Sequence, residues 1–182
     1  MKSPICALLG IEFPLLAFSH CRDVVAAVSR AGGMGVFGAG ALPPERLEEE
    51  LAWIDAHVDG QPYGVDLLIP EKMAGKHEEV NARQMVTGLP DSHTGFADAV
   101  LAKHGIEAGA FDEARDRMVQ IGRNLRPAGA ADLLDVAFKH PIKLIANALG
   151  VPPPLMLELG KRHGVPVAAL VAGELAPAGE GL

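Results

Sequence analysis

Residues 13–40 read FPLLAFSHCRDVVAAVSRAGGMGVFGAG, and the fold follows from how this stretch divides. Phe13-Pro14-Leu15-Leu16-Ala17-Phe18 is a short, nearly all-apolar run, the pattern of a strand buried on both faces in a parallel sheet. Ser19-His20-Cys21-Arg22-Asp23 interrupts it with polar groups. Val24, Val25, Val28 and Ala31 then share one helical face, and Gly32-Gly33 stands where a helix terminus favours glycine. Met34 to Phe37 opens a second apolar strand. Strand, turn, helix, strand is a parallel unit, and folds built from it place ligands in the turns at the carboxyl ends of strands. Chemistry is therefore expected at Ala17 to His20.

The same alternation extends outward. Leu42-Pro43-Pro44 enters a helix whose amino end is crowded by Glu45, Glu48, Glu49 and Glu50, complementing the helix dipole. Leu47, Leu51, Ile54 and Val58 form its apolar face. Tyr63 to Ile69, YGVDLLI, is a third buried strand in which Asp66 is the lone charge. Residues 70–128 are charged and weakly patterned, and read as a helical insertion. One helix there would turn Phe96, Val100 and Leu101 inward; a second would do so with Phe111, Met118 and Ile121. The frame resumes with a helix on Leu133, Leu134, Ala137 and Phe138 and a fourth strand from Ile142 to Leu149. Pro152-Pro153-Pro154 starts another helix that ends Lys161-Arg162-His163-Gly164, and Val165 to Val171 is a fifth strand. Residues 172–182, AGELAPAGEGL, lack apolar periodicity and read as a disordered tail. The expectation is an α/β fold in which residues 1–171 form part of a parallel (β/α)8 barrel. It would hold about five βα units where closure needs eight.

Composition narrows the partners. A net charge of −7 and a pI of 5.4 provide no basic stripe for nucleic acid or an anionic membrane. Cys6 and Cys21 are too few for a disulfide framework and fit a reducing compartment. No apolar run reaches the length of a membrane span, and Glu12 breaks the short hydrophobic segment at the amino terminus. A cytoplasmic protein is expected.

Gly33-Met34-Gly35-Val36-Phe37-Gly38 matches GxGxxG, but it follows a helix and opens a strand, the reverse of a dinucleotide-binding loop. Its glycines read as a helix cap and a point of close packing. His20 and Cys21 lack further ligands at metal spacing, and neither HExxH nor CxxC occurs, so no metal is expected. His20 at a strand end is open to a functional or a structural reading. Asp66 needs a partner, because an unpaired buried charge is costly. Backbone amides, an arginine or a ligand N–H would each serve. Asn147 suits the rim of the same face, or a cap on loop backbone.

Three blocks in order, GIEFPLLAFSHCRDVVAAVSRAGGMGVFGAGALPPERL, PYGVDLLIP and ANALGVPPPLMLELGKRHGVPVAAL, resemble the nitronate monooxygenase family, formerly 2-nitropropane dioxygenases. The resemblance implies an FMN-dependent (β/α)8 barrel that oxidises alkyl nitronates with dioxygen. It places Ala17, Phe18, Ser19 and His20 where most members carry Ala-Pro-Met along the flavin. It sets Asp66 at the family's flavin-contacting amide, able to accept from the ring N3–H, and Asn147 near the substrate side. The family's catalytic histidine, in a Gly-Gly-His segment, and its FMN phosphate loops do not occur in these residues, which leaves His20 as a possible catalytic group. The chain is thus expected to be the amino-terminal part of such an enzyme, inactive alone and a weak FMN binder. Alternatives are a related FMN-dependent enoyl-acyl-carrier-protein reductase or a non-catalytic interaction module. Small-molecule nitronate, dioxygen and a second copy of the chain are the expected partners.

Overall fold

A computed structural model describes residues 3–70, 90–106 and 112–170. Five strands, β1 (Leu16–Ser19), β2 (Met34–Gly38), β3 (Tyr63–Leu67), β4 (Leu144–Asn147) and β5 (Val167–Ala169), form one sheet in the order β1-β2-β3-β4-β5. Every pairing is parallel. The helices are α1 (Pro4–Leu9), α2 (Arg22–Arg30), α3 (Pro44–His57), α4 (Asp91–Lys103), α5 (Asp112–Asn124), α6 (Pro127–Ala137) and α7 (Pro154–His163). The architecture is the expected α/β part-barrel. Its strands are shorter than the apolar runs that announce them, because ladder pairing stops where the loops bend away. None of the described helices is long and apolar enough to cross a membrane.

Alternation along each strand sorts side chains onto two faces. On the outer face Phe37, Tyr63, Val65, Leu67 and Ile145 pack under Val25 of α2, Leu47, Leu51 and Ile54 of α3, Leu133 and Leu134 of α6, and Met156 of α7. Helices start and stop where the sequence indicates. Proline opens α3, α6 and α7, and Gly164 ends α7 in the left-handed region at φ 66°. The GxGxxG match lies in and before β2, as the packing reading requires. A Cβ on Gly35 would stand 2.3 Å from the Val25 carbonyl oxygen, so only glycine lets α2 lie this close to the sheet. At the opposite end of the strands, the Tyr63 hydroxyl donates to Asp55 Oδ1 at 2.6 Å. Asp55 Oδ2 lies 2.6 Å from His140 Nδ1, joining α3, β3 and the α6–β4 connection.

The inner face carries a second, smaller cluster. Met34, Val36 and Leu144 pack against Leu9 and Ile11, so α1 and the turn after it seal the amino ends of the strands. That helix had no signal in the periodicity. Three expectations are corrected here. β1 is not buried on both faces: Leu16 and Phe18 are 44% and 56% exposed, because nothing among the described residues covers the inner side of this edge strand. Phe96 and Val100 of α4 point to solvent, and Met118 of α5 is also exposed. Phe111 and residues 172–182 lie outside the described residues. The anchor of the α5 region is instead Asn124, whose Nδ2 donates to the carbonyls of Gly40 at 3.0 Å and Leu42 at 2.7 Å.

Candidate functional site

Strand register decides which candidate residues can meet. Gly38 of β2 pairs with Asp66 of β3, and Asp66 with Ala146 of β4. Directly opposed residues of paired strands share a face. Met34, Val36 and Gly38 alternate along β2, so Gly38 and Asp66 lie on the inner face with Phe18, which pairs with Val36. All of them fall at the carboxyl ends of their strands, the end at which parallel barrels place their sites.

His20 enters this face from the β1–α2 turn. Its ring fills the space over Gly38: a Cβ there would meet His20 Nδ1 at 2.6 Å and Phe18 Cζ at 2.5 Å. Nδ1 lies 2.9 Å from the Gly38 carbonyl oxygen. A carbonyl only accepts, so Nδ1–H is the donor in this contact. The edge of Phe18 meets the same ring, at 4.9 Å between centroids and 82° between planes. Ring orientation is thereby fixed.

Asp66 is 5% exposed, and its Oδ1 is buried with no hydrogen-bond partner among the described residues. Neither backbone amides nor an arginine satisfies that atom, which leaves the ligand N–H of the three partners considered from sequence. Burial pushes the carboxyl up to about 6, while the charge of His20 works in the opposite direction. The carboxyl therefore changes charge close to neutral pH, beside an imidazole of fixed orientation. One orphaned acceptor, one free ring nitrogen and the exposed apolar surface of Phe18 and Leu16 suit the edge of a flat heteroaromatic ligand carrying an N–H.

The remaining candidates have other employment. Ala17 pairs with Gly35 and so lies on the helix-covered side. Ser19 Oγ accepts from the Cys21 backbone N–H at 3.0 Å, which shapes the turn that delivers His20. Asn147 does not share the inner face with Asp66, because it pairs with Leu67 and the faces alternate. Its amide is used up by backbone. Oδ1 accepts from Ile69 N–H at 2.8 Å, and Nδ2 faces the carbonyls of Ile69, Gly150 and Val151 at 2.9–3.3 Å. Sequence reasoning missed Gly38, whose importance lies in the side chain it lacks. No group of three or more His, Cys, Asp or Glu among the described residues is arranged to hold a metal ion.

Comparison with known proteins bears on the family and the fold. A family model described as nitronate monooxygenase matches residues 2–170. Rv1533 of Mycobacterium tuberculosis, which carries a candidate assignment as a monooxygenase, is 50% identical over 171 residues, covering 93% of this chain and 45% of its own length. A Staphylococcus saprophyticus protein with a candidate assignment as a nitronate monooxygenase is 34% identical over 89 residues, 45% of this chain and 25% of that protein. The chain thus spans less than half the length of these relatives. Among solved structures, nitroalkane oxidase from Streptomyces ansochromogenes superposes with a TM-score of 0.58 at 22% identity, over 92% of this chain and 42% of that one. This likeness concerns the fold.

Proposed function

The chain belongs to the nitronate monooxygenase family, and from that premise we propose that it forms one wall of an FMN site at which alkyl nitronates are oxidised by dioxygen. The observation that carries this reading is the buried, unpartnered Oδ1 of Asp66 on the inner face. Bound there, FMN supplies the redox chemistry linking an organic substrate to dioxygen. Asp66 accepts a hydrogen bond from a ring N–H of the flavin, and Phe18 presents an apolar surface that keeps water from the same edge. His20 completes the wall. Ala17, Ser19 and Asn147 contribute by setting the backbone that carries these groups.

The experiment is a titration of the purified chain with FMN and with riboflavin, read by flavin fluorescence. Because the contact proposed is to the ring, Asp66→Ala weakens both flavins alike. Loss of a charge-assisted hydrogen bond is worth about 1.5–3 kcal/mol, or roughly a tenfold to hundredfold rise in Kd. Equal affinities in wild type and variant, or no binding up to the solubility of FMN, would remove the reading.

The open inner side of β1 has a further consequence, which we propose to be self-association. Leu16 and Phe18 stand on an edge strand with no charged side chain to discourage pairing. Light scattering coupled to size exclusion is expected to give a mass that rises with concentration. A sharp monomer at every concentration would refute it.

A further inference from the structure

Resting on the reading of a flavin wall, we propose that ligand binding at Asp66 is linked to a proton. The carboxyl gives one up as a ring N–H arrives, so the wall holds its ligand above an acid threshold and lets it go below. The geometry points to this first. Oδ1 of Asp66 is buried and meets no hydrogen-bond donor among the described residues. Its neighbours in the ladder are Gly38 and Ala146, neither of which brings a polar side chain. The titratable group that faces it is His20, from the β1–α2 turn. The helix α1, which seals the other end of the same face, carries no charged side chain. Among the described residues, then, no donor holds a negative charge on this oxygen. A ligand N–H is such a donor, and a hydrogen bond to the ionised form favours that form. Asp55 offers no parallel, since its two oxygens are already engaged by Tyr63 and His140.

Proton and ligand therefore compete for one atom. The step breaks the carboxyl O–H bond and passes the proton to solvent, and no oxidation state changes. Burial pushes the carboxyl up to about 6, and the charge of His20 works against that rise. Above this value the anion is ready for the N–H, and affinity is full. Below it the proton occupies the carboxyl, and affinity falls by about tenfold for each further pH unit. The linkage is reciprocal, so a bound ligand lowers the pH at which Asp66 takes up its proton. An amide at this position would bind the same ring edge without any such response.

Riboflavin is the probe, because the phosphate of FMN changes charge in the same range. Fluorescence titrations of the purified chain are expected to give a Kd about tenfold higher at about pH 5 than at about pH 8. Asp66→Asn keeps an acceptor oxygen and loses the ionisable group, so its Kd should stay flat across this range. That variant shares every other titrating group with wild type, and circular dichroism of the same samples checks that the fold persists. Carbon NMR of the Asp66 carboxyl supplies the reciprocal reading. Its midpoint should move down with saturating riboflavin, and should move up in His20→Asn, where the charge opposing burial has gone. Riboflavin binding with a flat pH profile, or with equal profiles in wild type and Asp66→Asn, overturns the proton linkage and leaves the flavin wall standing. A midpoint unmoved by bound riboflavin also overturns the linkage. An unmoved midpoint in His20→Asn overturns the part given to His20. Absence of riboflavin binding at every pH overturns the linkage and the flavin wall together.

Discussion

Asp66→Asn is expected to make this chain more stable, by about 3 kcal/mol, at every pH well above 6. The reason is the environment of the carboxyl. It is almost wholly buried, its Oδ1 has no partner, and burial raises it from an ordinary 3.8 to about 6. Between those values the folded chain holds a proton that the unfolded chain has released. Stability therefore falls as pH rises through this window, and above about 6 the full cost of a buried anion is present. Asparagine has nearly the same shape and cannot ionise, so it removes the cost. Below about pH 3.8 the acid is protonated in both states, and wild type and variant should differ little. Urea unfolding of the pair across this range checks the sign as well as the size. A constant difference at all pH values would mean that packing, not charge, separates them. A residue that destabilises the protein carrying it is commonly one retained for a site.

Asn147→Ala is the largest expected loss, about 3–5 kcal/mol. The Asn147 amide exchanges two hydrogen bonds with Ile69, at 2.8 and 2.9 Å, as a backbone residue would, and so prolongs the β3–β4 ladder past its last strand pair. It also ties down the carbonyls of Gly150 and Val151 ahead of α7. Alanine leaves these groups without a partner in a position 0% exposed. Asn147→Asp should be at least as damaging, because a carboxylate would face three carbonyl oxygens. Both are read from the urea midpoint at unchanged slope. A loss below about 1 kcal/mol would show that water replaces the amide.

Much of this is legible in the sequence alone. The strand–helix alternation survives because buried parallel strands such as Tyr63–Leu67 are continuous apolar runs, and because proline and glycine mark the helix ends. Asp66 is visible as the one charge in such a run. What a linear pattern cannot carry is register. Whether Asn147 shares a face with Asp66 turns on a single-residue offset between strands 80 positions apart, and that offset puts Ala146 opposite Asp66. The role of Gly38 requires knowing that a side chain 18 residues earlier folds back over it. Leu16 and Phe18 mislead because apolarity measures what a side chain prefers, not whether a neighbour covers it. The anchoring role of Asn124 has no signal, since the carbonyls its Nδ2 reaches lie more than 80 residues away.

Strand order equals chain order throughout this sheet. Each strand therefore pairs with the one made just before it, and each intervening helix packs on a surface already present. The consequence concerns time. A chain leaving the ribosome can commit its amino-terminal units without waiting for distant sequence, paying little loop-closure entropy at each step. The β3–β4 junction is the exception, because residues 68–143 separate those strands and β4 cannot join until all of them have emerged. Synthesis would therefore pass through a three-stranded stage, its inner face already capped by α1, before the Asn147 amide locks the fourth strand in place.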